Sequence, residues 1–223
     1  MTATKRTRLS PQARRAQLIE LGVEMLATRR LDELSVDLIA ATAGISRGLL
    51  FHYFASKQEF HLEVARAAAA EMLRRTEPDP ALAPVDALRG SLAAFIDYVE
   101  ENPDNYKSLV RGAASGDADM RVIFDATRVA MAHRVIESVA AQGLQMRERA
   151  VLAVHGWVAF AEECVIRWLD ERPFDREGLL DLLTKSLPAV ALAASDDEIG
   201  TSVGILAADR RPLPVGNGPF PSP

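Results

Sequence analysis

Residues 34–60 read LSVDLIAATAGISRGLLFHYFASKQEF and describe two short helices on a tight turn, an aromatic cluster and the start of a third helix. Ser35 is placed to cap a helix from Val36 to about Ala43, because its hydroxyl oxygen can accept one of the unpaired N–H groups of the first turn. Asp37 puts an anion at the positive end of that helix's dipole. Gly44 ends the helix, since the residue past a helix C-terminus often needs positive φ, which glycine adopts without a Cβ clash. Ser46 then starts a second helix. Leu38, Ile39, Ala43, Ile45, Leu49 and Leu50 supply apolar side chains that lock the two helices together and leave Arg47 and Gly48 at the exposed N-terminal end of the second. This is the geometry of a helix-turn-helix, whose second helix enters the major groove of DNA.

The next residues sharpen the reading. Phe51, His52, Tyr53 and Phe54 end the second helix, and Ser56-Lys57-Gln58-Glu59 has the S-x-x-E form of a capping box opening a third. Taken together, Ala43-Gly44-Ile45-Ser46-Arg47-Gly48, Leu50-Phe51-His52-Tyr53-Phe54 and Ser56-Lys57-Gln58-Glu59 resemble the DNA-binding domain of the tetracycline-repressor (TetR) family. That family's pattern runs Ala-Gly-Val-Ser, a basic residue and Gly, then Leu-Tyr-x-Tyr/His-Phe, then Ser-Lys and an acidic position. Two positions depart from it: Leu49 stands where the family usually has Thr or a similar residue, and Phe51 where it has Tyr, so neither donates a hydrogen bond. Among candidate DNA-binding residues, Arg47 suits bidentate pairing with guanine, and Gly48 permits close approach. His52, Tyr53 and Lys57 suit phosphates, with Lys57 aided by the positive end of its helix. The cap residues Ser35 and Ser46 complete the set. Tyr53 reads equally as a core aromatic, and Phe54 reads as core in preference to any contact.

Composition bounds the remainder. With 223 residues, 48% of them hydrophobic, the chain can bury a sizeable core in one large or two modest domains. No run approaches the roughly 18 to 20 apolar residues of a membrane span, and MTATKRTRLS lacks the apolar segment of a secretory signal, so the expected compartment is the cytoplasm with no membrane partner. Cys164, the single cysteine, rules out an intramolecular disulfide framework and a cysteine-rich zinc site; it is either a small core residue or a reactive thiol. Residues 1–57 hold nine Lys or Arg against five Asp or Glu, a charge of +4, whereas the other residues hold 17 against 26, a charge of −9. A basic front on an acidic body fits a chain in which only the front meets phosphate. Lys5, Arg6 and Arg8 form either a DNA-ordered arm or a plain solvated tail.

Helical periodicity runs through nearly the whole chain, so the expected fold is all-α. Ser10-Pro11 opens a helix with Leu18, Leu21, Met25 and Leu26 inward; further helices run from Lys57 to about Arg75, Val85 to Glu101, Asn102-Pro103 through Val110, Ala118 to Ala141, Met146 to Asp170 and Phe174 to Ala194. The expected organisation is an arm and helix-turn-helix domain over 1–56, a helical effector-binding and dimerisation domain over 57–194, and a Pro/Gly-rich, disordered tail over 195–223. The last two helices are apolar on more than one face, including Leu182, Leu183, Leu187 and Val190, which predicts packing against a second subunit, with Leu183 at the pairing face.

The family resemblance implies that these helices pair in a homodimer on operator DNA and that the body holds a cavity for a small-molecule effector. Candidate ligand-binding residues are Phe95, Tyr98, Tyr106, Leu109, Phe124, Met131, Trp157, Phe160 and Trp168, with Arg111, His155 or Glu163 as polar anchors, and an apolar or aromatic ligand is expected. Each aromatic also reads as ordinary core, and Glu163 with Arg167 as a surface i,i+4 pair. The resulting expectation is a transcriptional regulator, a repressor rather than an activator, with no cofactor or metal. The alternatives are a helical adaptor and a small helical enzyme. The four histidines lack metal-ligand spacing, and no nucleophile elbow or phosphate loop is present, which weighs against catalysis.

Overall fold

The structure is a computed structural model describing residues 10–114, 117–143 and 145–194. The N-terminal basic residues Lys5, Arg6 and Arg8, the 195–223 tail and the Arg111 side chain lie outside the described residues. Nine α-helices are described: α1 (Pro11–Met25), α2 (Val36–Ala43), α3 (Arg47–Tyr53), α4 (Lys57–Arg75), α5 (Pro84–Glu101), α6 (Pro103–Ala114), α7 (Ala118–Ala140), α8 (Glu148–Glu171) and α9 (Arg176–Ala193). The all-α expectation is met. One element was not expected: a 3₁₀ turn over Leu31–Glu33, closed by the Glu33 carboxylate accepting from the Arg30 N–H at 3.0 Å.

Two apolar clusters organise these helices. The first joins α1 to α4, with Leu18, Leu34, Ile39, Leu50, Phe54, Phe60 and Val64 all at most 2% exposed. Its tightest point is the α1–α4 crossing at Gly22. A Cβ there would fall inside van der Waals contact of Val64 Cγ2 and 3.0 Å from Phe60 Cζ. Phe60 in turn meets Phe54 edge-on, with ring centroids 5.0 Å apart. Arg15 closes one side of this cluster by bonding Glu59 and Glu63 at 3.2 Å each, with its guanidinium 4.8 Å above the Phe54 ring.

The second cluster fills the body with residues of α4, α5, α6, α7, α8 and α9, including Ile96, Val99, Val154, Val165, Leu179 and Leu183, all buried. Leu183 therefore belongs to the core of its own subunit, not to an outer pairing face; its neighbour Leu182 is the exposed one, 41% accessible. Cys164 packs half-buried against this cluster, and burial pushes its thiol above the ordinary range, which fits the packing reading over the reactive one. Arg172 ends α8 in the left-handed conformation, φ 44°, held by Glu100 at 2.6 Å and stacked 3.8 Å over the Trp168 ring.

The clusters are not independent. Met120 and Ile123, in the first turns of α7, are buried among the residues of the first cluster, and Ala65 and Ala68 of α4 belong to it as well. Asp117 caps α7 by accepting from the Met120 N–H at 3.0 Å while also taking a 2.5 Å bond from Gln58 at the start of α4. The N-termini of α4 and α7 are thereby fastened together.

His61 supplies a pH dependence in the first cluster. It is buried on α4 and bonds the Leu34 carbonyl through Nε2 at 2.9 Å. Burial holds the imidazole below its ordinary range, the bond to Leu34 only partly opposing it. A histidine that resists protonation when folded stabilises the fold fully above its unfolded pKa of about 6.5, and that stability is lost as pH falls below this value toward the folded pKa. Urea unfolding is expected to show lower stability at pH 5.5 than at pH 7.5, with a smaller difference in His61→Gln. An equal difference in the two proteins would assign the pH dependence to carboxylates alone.

Candidate functional site

The bend between α2 and α3 is built by local hydrogen bonds. Ser35 accepts from the Leu38 N–H at 3.1 Å and caps α2; Ser46 accepts from the Leu49 N–H at 3.2 Å and caps α3. Gly44 adopts φ 64°, ψ 36°, and the bonds Gly44 N–H to Ala41 oxygen (3.2 Å) and Ile45 N–H to Ala40 oxygen (3.0 Å) close α2 as a Schellman motif. A Cβ on Gly44 would meet no atom within 4 Å, so the glycine is required by backbone conformation alone.

Leu50 and Phe54 anchor α3 in the first cluster, at 2% and 1% exposure, and this turns Arg47, Gly48, Leu49, Phe51 and His52 outward. Tyr53 sits between the two environments: it is half-buried against the cluster and meets His52 edge-on at 5.3 Å. Arg47 Nη1 lies 3.1 Å from Asp37 Oδ1 in an exposed pair between the N-terminal ends of α3 and α2. Lys57 Nζ donates to the Asp32 carbonyl at 3.3 Å, which holds it beside the 3₁₀ turn. The expected capping box is half formed. Ser56 accepts from the Glu59 N–H at 3.0 Å, but the Glu59 carboxylate reaches past Ser56 to the Ala55 N–H at 2.7 Å. That bond first, and Arg15 second, hold the Glu59 carboxyl below its ordinary range.

The candidate DNA-binding residues Ser35, Ser46, Arg47, Gly48, His52, Tyr53 and Lys57 thus gather on one end of the molecule. Leu49 and Phe51 share that surface at 38% and 46% exposure. Leu49, expected to help lock the two helices together, therefore does not: the turn of α3 that buries Leu50 points Leu49 and Phe51 outward as apolar groups.

The body contains an apolar cavity of about 520 Å³ among α4 to α9. Phe95, Tyr98, Tyr106, Leu109, Phe124, Met131 and Trp157 line it, together with Ala65, Ala68 and Met72 of α4. Four expected lining residues do not. Phe160 lies on the outer face of α8 with 41% exposure. Glu163 is exposed and bonds Arg167 at 2.6 Å as an i,i+4 pair, and Trp168 is buried one level away, donating to the Phe174 carbonyl at 2.8 Å. His155 also lies outside the lining, its ring 6.4 Å from that of His133. The helical period explains these corrections: with about 3.6 residues per turn, Trp157, Val158, Ala161 and Glu162 face inward, so Phe160 and Glu163 point the other way.

Polar groups inside the cavity come from elsewhere than expected. Glu162, 8% exposed, accepts from Arg128 Nε at 2.9 Å and from Arg128 Nη2, while Tyr106 donates its hydroxyl to the other carboxylate oxygen at 3.3 Å. Burial first, and the Glu162 carboxylate second, push the Tyr106 phenol well above its ordinary range, so it stays a donor. Arg134 also lines the cavity and donates to Thr76 Oγ1 at 3.2 Å. Among the described residues no group of three His, Cys, Asp or Glu is placed to hold a metal ion, and no helix is long and apolar enough to cross a membrane.

A helix-turn-helix head on a helical, cavity-bearing body defines a class of DNA-binding transcriptional regulators, and comparison with known proteins agrees. Residues 18–64 match the bacterial regulatory proteins of the tetR family, and residues 84–190 match the tetracyclin repressor-like C-terminal domain. The chain belongs to the TetR family of transcriptional regulators, and it is a regulator rather than an enzyme. It is similar over 183 residues to the transcriptional activator FasR of Mycolicibacterium smegmatis, at 25% identity, covering 78% of this chain and 81% of that protein. It is 35% identical over 92 residues to the transcriptional repressor KstR2 of the same organism, covering 40% of this chain and 45% of the relative. A tetR-family regulator from Streptomyces coelicolor superposes with a TM-score of 0.79 at 27% identity, over 91% of this chain and 92% of that one.

Proposed function

We propose that the protein is a ligand-responsive repressor acting in the cytoplasm, binding a palindromic operator as a homodimer and leaving it when a small apolar effector enters the cavity. The observation that carries this reading is the sharing of α4 and α7 between the two apolar clusters. Ala65, Ala68 and Ile123 are buried in the first cluster and line the cavity in the second. A molecule that displaces these walls moves helices fastened to the DNA-reading end. An effector that binds the released state more tightly than the DNA-bound state must weaken DNA binding by the same factor.

In this reading α3 lies in the major groove. Arg47 releases Asp37 and pairs with guanine, Leu49 and Phe51 pack on thymine methyl groups, and Lys57, His52 and Tyr53 meet phosphates from either side, with Ser35 and Ser46 at the helix N-termini. The partner subunit covers the outer stripe of α8 and α9, where Leu152 is 73%, Phe160 41%, Leu182 41% and Leu192 48% exposed. Two heads then sit on one face of the duplex, their half-sites related by the protein's two-fold axis.

Binding titrations against a selected operator test the head. Lys57→Ala is expected to weaken all sequences alike and to lower the slope of log K against log salt by about 0.9. Arg47→Ala is expected to cost about 1 to 3 kcal/mol, confined to one base position of each half-site. An unchanged base preference in Arg47→Ala would remove this residue from sequence readout.

A further inference from the structure

We infer that the cavity is a site for an amphiphilic anion, with a carboxylate-type head held at Arg134 and an apolar chain against the aliphatic and aromatic wall. The inference rests on the effector reading above and adds the ligand's charge and amphiphilic character.

The length comes from the lining. Along α7 the cavity wall extends from Ile123 to Val139, about 16 residues and so roughly 24 Å of helix, which is long enough to receive an extended apolar chain.

The charge comes from two arginines that differ in their partners. Arg128 is neutralised by the buried Glu162, and Tyr106 fills the other carboxylate oxygen, so that end of the cavity carries no net charge. An anion placed there would face Glu162 in an apolar surrounding, which is costly. Arg134 has no carboxylate within ion-pair distance among the described residues; its bond is to the neutral Thr76 hydroxyl through Nη1, leaving Nε and Nη2 as donors without a protein acceptor. A guanidinium in this state is matched by a ligand oxyanion, through charge-assisted bonds that a neutral oxygen makes only weakly.

Arg134 stands ten residues, about 15 Å, from Phe124 along α7. Phe124 and Met131 precede it in the lining and Val135, Val139 and Met146 follow it, so a head group held at Arg134 has apolar wall beside it for a chain.

Dodecanoate, methyl dodecanoate and the full chain test this, with fluorescence of Trp157 in the cavity wall as the signal and calorimetry as a check. Dodecanoate is expected to bind about tenfold more tightly than its methyl ester, the difference that one hydrogen-bonded charge supplies. Arg134→Gln is expected to remove that preference while leaving the ester's affinity within about twofold, and Arg134→Lys to retain most of it. Equal affinity for acid and ester in the unsubstituted protein, binding of neither, or a preference that survives Arg134→Gln would each overturn the inference. The unsubstituted protein decides the first two without any variant having to fold. Retention of operator DNA, measured in the same titration, separates this inference from the effector reading. Tight, Arg134-dependent dodecanoate binding that leaves DNA affinity unchanged upholds the site and contradicts release by this ligand.

Discussion

Phe160→Arg is expected to convert the protein from a dimer to a folded monomer and to lower operator affinity by at least about a hundredfold, because the two half-sites would no longer be held by linked heads. Phe160 stands 41% exposed in the stripe that Leu152 and Gly156 continue along α8, and it lies outside the cavity lining. A charge there is solvated in the monomer and desolvated in the pair, so its cost falls on association rather than folding. Sedimentation velocity with circular dichroism separates the two effects. A Phe160→Arg protein that remains a dimer at micromolar concentration would place the interface elsewhere. Leu183→Arg is the uninformative version of this test, since Leu183 is fully buried within its own subunit and a charge there unfolds the body.

Gly22→Val is expected to destabilise the head by about 2 to 3 kcal/mol and to abolish operator binding at temperatures where the body remains folded. The added atoms would collide with Val64, whose branched side chain has no free rotation to retreat into, and with Phe60, which is itself held edge-on by Phe54. Helix α1 would have to move off α4, and with it the support beneath α2 and α3. Thermal unfolding followed by far-ultraviolet circular dichroism, together with DNA binding at two temperatures, reads the effect. Unchanged stability and affinity in Gly22→Val would mean that the α1–α4 crossing has slack that the structure does not show.

The DNA-reading end was legible in sequence because everything that shapes it is local. A cap at Ser35, a left-handed Gly44, an apolar Ile45 and a second cap at Ser46 fix the bend within about a dozen residues, and each acts on a backbone group one turn away. Helix starts in the body were legible for the same reason at Pro103 and Ala118, whereas α5 and α9 begin at Pro84 and, after the Asp175 cap, at Arg176 rather than at the expected Val85 and Phe174. The cavity was only half legible. Seven of its aromatic and apolar walls were identified, but α8 is apolar nearly all round, so periodicity alone did not say that Glu162 faces inward and Glu163 outward. The polar partners are also far apart in sequence: Arg128 meets Glu162 34 residues away, and Arg134 meets Thr76 58 residues away. No local pattern encodes such pairs. The same holds for Lys57, whose ammonium is held by a carbonyl in a 3₁₀ turn that carries no strong sequence mark.

The most direct test of the whole account is selection of bound fragments from the source genome, carried out in parallel with the unsubstituted protein and Arg47→Ala. The account predicts one enriched site with two-fold symmetry, its half-sites read from one face of the duplex, and loss of preference at a single symmetric pair of positions in Arg47→Ala. Enrichment of an asymmetric site, or of no site above the salt-dependent background, would contradict it.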